Sequence, residues 1–393
     1  MGNSYGAGES RLTDIGACCC AENSKIKIIA SENSWIEGEA VRQLEETAKL
    51  PGIVRAVGHP DLHPGKGIPI GASFLSDGVI YPHLVGNDIG CGMGLWRTDM
   101  SIHRFKLDKV VKKLKGYECP YEGRVTDLLL AAGLTDESQM SLGTIGGGNH
   151  FTEFQKVEQV FNPIAMEKLG LDAKAVHLLV HSGSRGLGQA ILRSHVDRYQ
   201  ASGLHVGSNP FVDYIQRHDR AVAWAEVNRQ VIARRFLESL SASGERCLDI
   251  CHNSVTPRDD GSWLHRKGAA PTDRGAVVIP GSRGAITYVA MPVVDGAATA
   301  LWSLAHGAGR KWKRTDVKGK LSRRYRVSDL ERTKLGGRVI CEDKALIFEE
   351  APEAYKDIEA VIFDLQNAGL IELVASMRPL ITYKTRREPG GKR

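Results

Sequence analysis

Val176-His-Leu-Leu-Val-His181, followed at once by Ser182-Gly-Ser-Arg-Gly-Leu-Gly188, is the stretch on which the reading of this chain turns. The first half is an apolar run with β-branched residues and reads as a strand over Val176 to His181. The second half is a glycine bunch, whose residues permit close backbone approach or positive φ. The same succession recurs along the chain. Bunches stand at His59-Pro-Asp-Leu-His-Pro-Gly-Lys-Gly67, Val85-Gly-Asn-Asp-Ile-Gly-Cys-Gly92, Gly143-Thr-Ile-Gly-Gly-Gly-Asn-His150, Pro280-Gly-Ser-Arg-Gly284 and His306-Gly-Ala-Gly-Arg310. Further strands are expected at Val54 to Gly58, Ala276 to Ile279 and Ala285 to Met291. Helices are expected at Glu37 to Leu50, Phe211 to Ser241, Ala297 to Ala305 and Asp357 to Ala368, the second having apolar positions every three or four residues over many turns. Strands and helices alternate irregularly, which favours a mixed α+β fold over a regular doubly wound sheet. No repeat period and no Pro/Ser-rich linker divides the chain, so we expect one large domain over residues 1–393 with a basic tail at 385–393.

Composition narrows the class. The 393 residues carry 42% hydrophobic and 25% charged residues, near globular averages, and no apolar run approaches the length of a membrane span. The opening MGNSYG lacks the basic-then-apolar layout of a secretory signal and, with Gly6, matches a myristoylation signal poorly, so a cytoplasmic protein is expected. Eight cysteines are too few for a disulfide framework, and Cys18, Cys19 and Cys20 are consecutive, which strains mutual pairing. The formal charge of +6 permits a polyanionic partner. It concentrates in Arg310 to Arg326 and Lys384 to Arg393, the first interleaving Trp312 and Tyr325 as a phosphate-tracking, base-stacking surface would.

Borderline and soft donors cluster in the glycine motifs. Asp88 and Cys91 lie three apart in a tight turn, and His150, His181 and His252 each stand next to Asn or Ser. One such histidine alone is ordinarily a core residue bonded to backbone, and one such cysteine a small buried hydrophobe. Five together exceed the needs of one tetrahedral ion and make a thiolate-bridged pair of ions reasonable. The loops GGGNH, HSGSRGLG and HGAGR could each wrap an oxyanion with backbone N–H groups, with Arg185 or Arg310 as the charged clamp. Neither a Walker loop nor a dinucleotide fingerprint is present.

In order along Pro60 to Lys384, PDLHPGKGIPIG, VGNDIGCGM, GTIGGGNHF, HSGSRGLG, His252-Asn253, HRKGA, IPGSRG and HGAGR resemble the RtcB-type RNA ligases, with the chain looking like a short, divergent bacterial paralogue. The resemblance implies a GTP- and Mn²⁺-dependent enzyme that joins RNA 3′-phosphate or 2′,3′-cyclic phosphate ends to 5′-hydroxyl ends, in RNA repair or tRNA splicing, with its active site in a central cleft. It implies Asp88, Cys91, His150, His181 and His252 as ligands of two manganese ions bridged by Cys91, and His306 as the nucleophile that takes GMP. Asn149, Phe151, Glu153, Arg185, Asn253, Ser282 and Lys384 would bind the nucleotide, Glu153 by accepting from guanine N1 and N2. Asp61 and His63 would support the site from behind or form a turn. The chain departs from the family in having Asn87 before the metal-binding Asp88 and His59 where Met is usual. A monomer acting on RNA, with no membrane, is expected; an activating protein is left open. Two other readings stand beside this one: a metal-dependent cyclic phosphodiesterase that never ligates, and a non-catalytic RNA-binding relative.

Overall fold

A computed structural model describes residues 24–386 except 33, 115 and 135–140. Cys18 to Cys20 and the tail beyond residue 386 lie outside the described residues.

The strand expected at Val176 is the keystone of the larger sheet. It runs Ala175–Ser182, with all eight residues buried, and pairs antiparallel with Phe151–Val160 on one side and Gly92–Ser101 on the other. Gly92–Ser101 pairs in turn with Gly244–Cys251, while Phe151–Val160 pairs with the 15-residue strand Ile371–Thr385. Thr287–Pro292, Val277–Pro280 and Arg338–Cys341 complete eight strands. A five-stranded sheet, ordered Ile26–Ile28, Ile53–His63, Ile70–Ser76, Trp263–Lys267 and Asn253–Pro257, carries the rest of the site.

Antiparallel pairing explains why distant motifs meet. Two strands begin at one end of the larger sheet, just after Cys91 and His150, and two finish there, at His181-Ser182 and just before His252. The register sets His181 opposite both Phe151 and Met93, and Gly92 opposite both Ser182 and Cys251. His252 is the single residue between a strand of the large sheet and one of the smaller sheet. Its N–H donates to Cys91 O at 2.8 Å and its carbonyl accepts from Ala269 N at 3.0 Å.

The helix predicted over Phe211 to Ser241 is Asn209–Leu240, capped by Ser208 Oγ accepting from Phe211 N and ended by Ser241 in the left-handed region. Its stripe of Ile232, Ala233, Phe236 and Leu237 packs with Trp96, Phe154, Leu178 and Val180 of the sheet in closed apolar contact. The helices expected at Glu37 and Asp357 are Gly38–Ala48 and Ile358–Asn367.

One element is corrected. The helix expected over Ala297 to Ala305 is a single 3-10 turn at Ala297–Ala300 followed by the strand Ser303–Ala305. Leu301 and Trp302 turn the chain with φ of 50° and 45°, and the strand then pairs with Ala269–Pro271. Pairing with a distant strand overrides the helical preference of an alanine-rich run, and it delivers His306 to the site.

Candidate active site

The donors meet as the sheet register requires. Cys91 Sγ lies 3.3 Å from His150 Nε2 and 3.3 Å from His181 Nε2, and His150 Nε2 lies 2.8 Å from Asp88 Oδ2. His252 closes the group, its ring centroid 5.1 Å from that of His181. Backbone orients the rings: Ile145 O sits 3.1 Å from His150 Nδ1. Gly183 has to be glycine here, because a Cβ would stand 2.1 Å from Asp88 Oδ1. Behind the donors, two residues of the long helix tie their loops together. Arg229 Nη1 donates to Gly90 O at 2.8 Å and Ser182 O at 2.9 Å while its guanidinium pairs with buried Asp249. Asn228 accepts from Gly143 N and donates to Thr144 O and Ser182 Oγ.

This set fits a divalent transition metal. Burial first, and then the neighbouring imidazoles, hold His181 and His252 well below the ordinary histidine range, so they are neutral. Burial and the Asp88 carboxylate push the Cys91 thiol up. His181 Nδ1 is buried without a partner among the described residues. A buried thiol among imidazoles and a carboxylate is the donor chemistry that a borderline ion satisfies.

His306 stands beside this floor, its ring centroid 4.7 Å from that of His252. Asp61, wholly buried, accepts from His306 Nδ1 at 2.7 Å and from the His306 backbone N–H at 3.2 Å. Burial would push this carboxyl up, but the charge and hydrogen bond of His306 outweigh it and hold it ionised. In the neutral form of the ring, an ionised acceptor at Nδ1 places the one proton there and leaves Nε2 with its lone pair. Gly268 makes room for the imidazole, since at φ +59° a Cβ would meet His306 Cε1 at 2.8 Å. The turn carrying Asp61 is held by Lys356 Nζ donating to Pro60 O and Leu62 O. His63 Nδ1 lies 2.7 Å from Asp61 O, and His59 Nε2 lies 3.1 Å from Ser73 Oγ. Burial brings both histidines down to about 4.

Above this floor opens a cleft of about 990 Å³, lined by Asn149, Phe151, Glu153, Ser282, His306 and Lys384 among others. The carboxylate of Glu153 accepts from Gln155 Nε2 at 2.6 Å and from Thr382 Oγ1, and burial pushes it up to about 7. Phe151 packs edge-on against His181. Across the cleft, buried Glu350 gathers Arg310, Arg314, Lys384 and the Tyr355 hydroxyl. Its burial favours the neutral acid, yet Lys384, Arg314 and Arg310 together hold it down to about 2.

A family model described as tRNA-splicing ligase RtcB matches residues 43–124 and 127–385. The chain belongs to the RtcB family. It is 50% identical over 369 residues to RNA-splicing ligase RtcB2 of Escherichia coli strain ATCC 25922, covering 93% of this chain and 96% of that relative. Identity to RNA-splicing ligase RtcB of Escherichia coli K12 is 27% over 428 residues, covering 92% and 98%. With tRNA-splicing ligase RtcB of Archaeoglobus fulgidus it is 30% over 439 residues, covering 88% and 91%. A bacterial paralogue of RtcB fits this spread.

The RtcB motifs thus converge, though the Asn253 and Arg310 side chains are engaged otherwise than expected. Asn253 spends both ends of its amide on backbone, donating to Asp88 O and accepting from Gly268 N. Arg185 donates to Thr144 Oγ1 at 3.3 Å, with its guanidinium packed against Gly146. Arg310, considered as an oxyanion clamp, pairs with Glu350. Glu350, Tyr355, Asn228 and Arg229 escaped the sequence reading, since none stands in a glycine motif; Arg314 stood within the basic stretch 310–326, and Lys267, whose Nζ donates to Val85 O, within HRKGA, without either being singled out.

Proposed function

We propose that this RtcB-family protein is a GTP- and Mn²⁺-dependent ligase that joins RNA 3′-phosphate or 2′,3′-cyclic phosphate ends to 5′-hydroxyl ends, as a cytoplasmic monomer in RNA repair or tRNA splicing. The observation that carries the reading is His306, held by Asp61 through Nδ1, with its other nitrogen making no hydrogen bond among the described residues, beside the donor cluster. Asp88, Cys91, His150, His181 and His252 would hold manganese, which supplies charge neutralisation at the reacting phosphates. Asp61 keeps His306 in the tautomer whose Nε2 lone pair attacks the α-phosphorus of GTP; the bond to the pyrophosphate oxygen breaks and pyrophosphate leaves. An oxygen of the RNA 3′-phosphate then attacks the same phosphorus, breaking the P–N bond and giving an RNA-3′-pp-G end. The 5′-hydroxyl attacks the RNA phosphorus, loses its proton and releases GMP. A cyclic end needs water to open it first. Glu153, Ser282 and Lys384 would read the guanine, with Phe151 against its face, and Asn149 would hold phosphate. Asn253 supports the loops in this proposal, because both ends of its amide are already engaged, while Arg185, bonded through Nε alone, would hold a substrate or nucleotide phosphate.

Labelling with [α-³²P]GTP and Mn²⁺ tests the reading. The wild type should carry an acid-labile, alkali-stable label, and His306→Ala should carry none while keeping its metals. Supplied with RNA already ending in 3′-pp-G, His306→Ala should still seal it to a 5′-hydroxyl strand, because only nucleotide transfer needs the imidazole. An unlabelled wild type that opens cyclic phosphates would establish the phosphodiesterase alternative instead.

A further inference from the structure

Residues 310–326 hold nine cationic side chains against the single acid Asp316. The stretch leads out of the cleft. Lys311, Trp312, Lys313, Arg314 and Thr315 line its wall, and the chain continues as the helix Arg314–Leu321 and the turn after it. Val317 and Leu321 bury one face of that helix against Leu330, Ile347 and Phe348, so its other face has a set orientation. Lys318 and Lys320 flank the buried stripe on its two sides, with Arg323 and Arg324 following, all exposed. Arg310 and Arg314 share the Glu350 carboxylate with Lys384, whereas Lys311, Lys313, Lys318, Lys320, Arg323 and Arg324 enter no ion pair among the described residues.

Like charges left uncompensated along one path repel one another, and a polyanion threaded between them relieves that repulsion. The aromatic residues add little stacking. Tyr325 is partly packed on the small core and held by Glu353, and the Trp312 ring already has Lys320 Nζ at 4.8 Å and Lys311 Nζ at 5.5 Å. We infer that residues 311–324 form an electrostatic track for the single-stranded RNA that flanks the reacting end, binding its phosphates without reading its bases. This rests on the ligase reading for the identity of the polyanion. It corrects the base-stacking surface expected from sequence, because both aromatics are committed within the protein.

The test uses the full chain and an RNA oligonucleotide of mixed sequence ending in a 3′-hydroxyl, long enough to extend beyond the cleft and unable to react. Its affinity is measured across salt concentrations for the wild type and for the variant Lys318→Gln, Lys320→Gln, Arg323→Gln, Arg324→Gln. Each single-strand phosphate contact contributes about 0.7 to the slope of log affinity against log salt, so four lost contacts lower the slope by about 3. Between about 50 and about 200 mM salt the wild type should therefore lose about fiftyfold more affinity than the variant. Guanylylation by GTP without RNA should be equal in the two. The pairs Lys318→Gln with Lys320→Gln and Arg323→Gln with Arg324→Gln should each lower the slope by about half as much. An unchanged affinity and slope in a normally labelled variant overturns the track. Loss of labelling together with RNA binding in both pairs also overturns it, by tying these residues to the nucleotide step. A wild type that binds RNA with the steep slope yet takes no label removes the ligase reading and leaves the track standing.

Discussion

The floor of the cleft and its far wall are built on opposite plans. On the floor, Asp88, Cys91, His150, His181 and His252 are delivered by neighbouring strand ends, and their loops are tied by backbone hydrogen bonds to Asn228 and Arg229. On the wall, Glu350 gathers Arg310, Arg314 and Lys384 by charge, with the Tyr355 hydroxyl between them. The floor holds His181 and His252 neutral and offers lone pairs; the wall is ionised and offers donors. An electron-poor partner belongs on the floor and an anionic one along the wall, which is the division of labour that phosphoryl transfer demands.

The sharpest way to break this contrast is to remove the sulfur that the floor's histidines share. We predict that Cys91→Ala abolishes both manganese binding and guanylylation, because on the proposed reading its thiolate would serve both ions, while its metal-free stability changes little. Metal analysis of the purified variant checks this, and two manganese equivalents per chain would defeat the bridging assignment. The wall should respond in the reverse sense. Glu350→Ala leaves Arg310 and Lys384 buried without their anion, and breaking a buried charge network of this kind costs about 3–5 kcal/mol. We expect urea denaturation in metal-free buffer to show that loss, with manganese binding retained once the variant is folded. A loss below about 1 kcal/mol would mean that the cations find other partners.

The same contrast separates what could be read in the chain from what could not. The floor was legible because its residues stand in glycine motifs at strand ends, where a few adjacent residues determine both the turn and the donor. His306 was legible as a residue, but not its route, since the alanine-rich run before it pairs as a strand after one 3-10 turn. Asp61 stood in a quoted motif, and only the fold shows that it lies 2.7 Å from a residue 245 positions away. The wall was illegible: Glu350 sits in a run of acids with no motif, and its partners Arg310 and Arg314 are 40 and 36 residues away. Nothing local to Asn228 and Arg229 announces that a polar pair in an amphipathic helix ties down three loops.

Glu153 lies where the two plans meet and gives the smallest of these predicted effects. Its carboxyl is buried, which disfavours the charged form and raises it to about 7 despite donors from Thr382 and Gln155 and the nearby Lys384 ammonium. If it reads guanine by accepting from N1 and N2, only the ionised form serves. Guanosine, which carries no phosphate to titrate, isolates this contact. Below about 7 the free protein must give up a proton to bind, so affinity falls as pH falls; above it the carboxylate is already formed and affinity levels off. Competition by guanosine should therefore weaken by roughly tenfold between about pH 8 and about pH 6. Glu153→Gln should bind more weakly at every pH and show no such dependence from this group, since an amide does not titrate and presents one acceptor where the carboxylate presents two. Equal guanosine affinity at the two pH values in the wild type would take base recognition away from Glu153 and leave it as a partner of Thr382 and Gln155 alone.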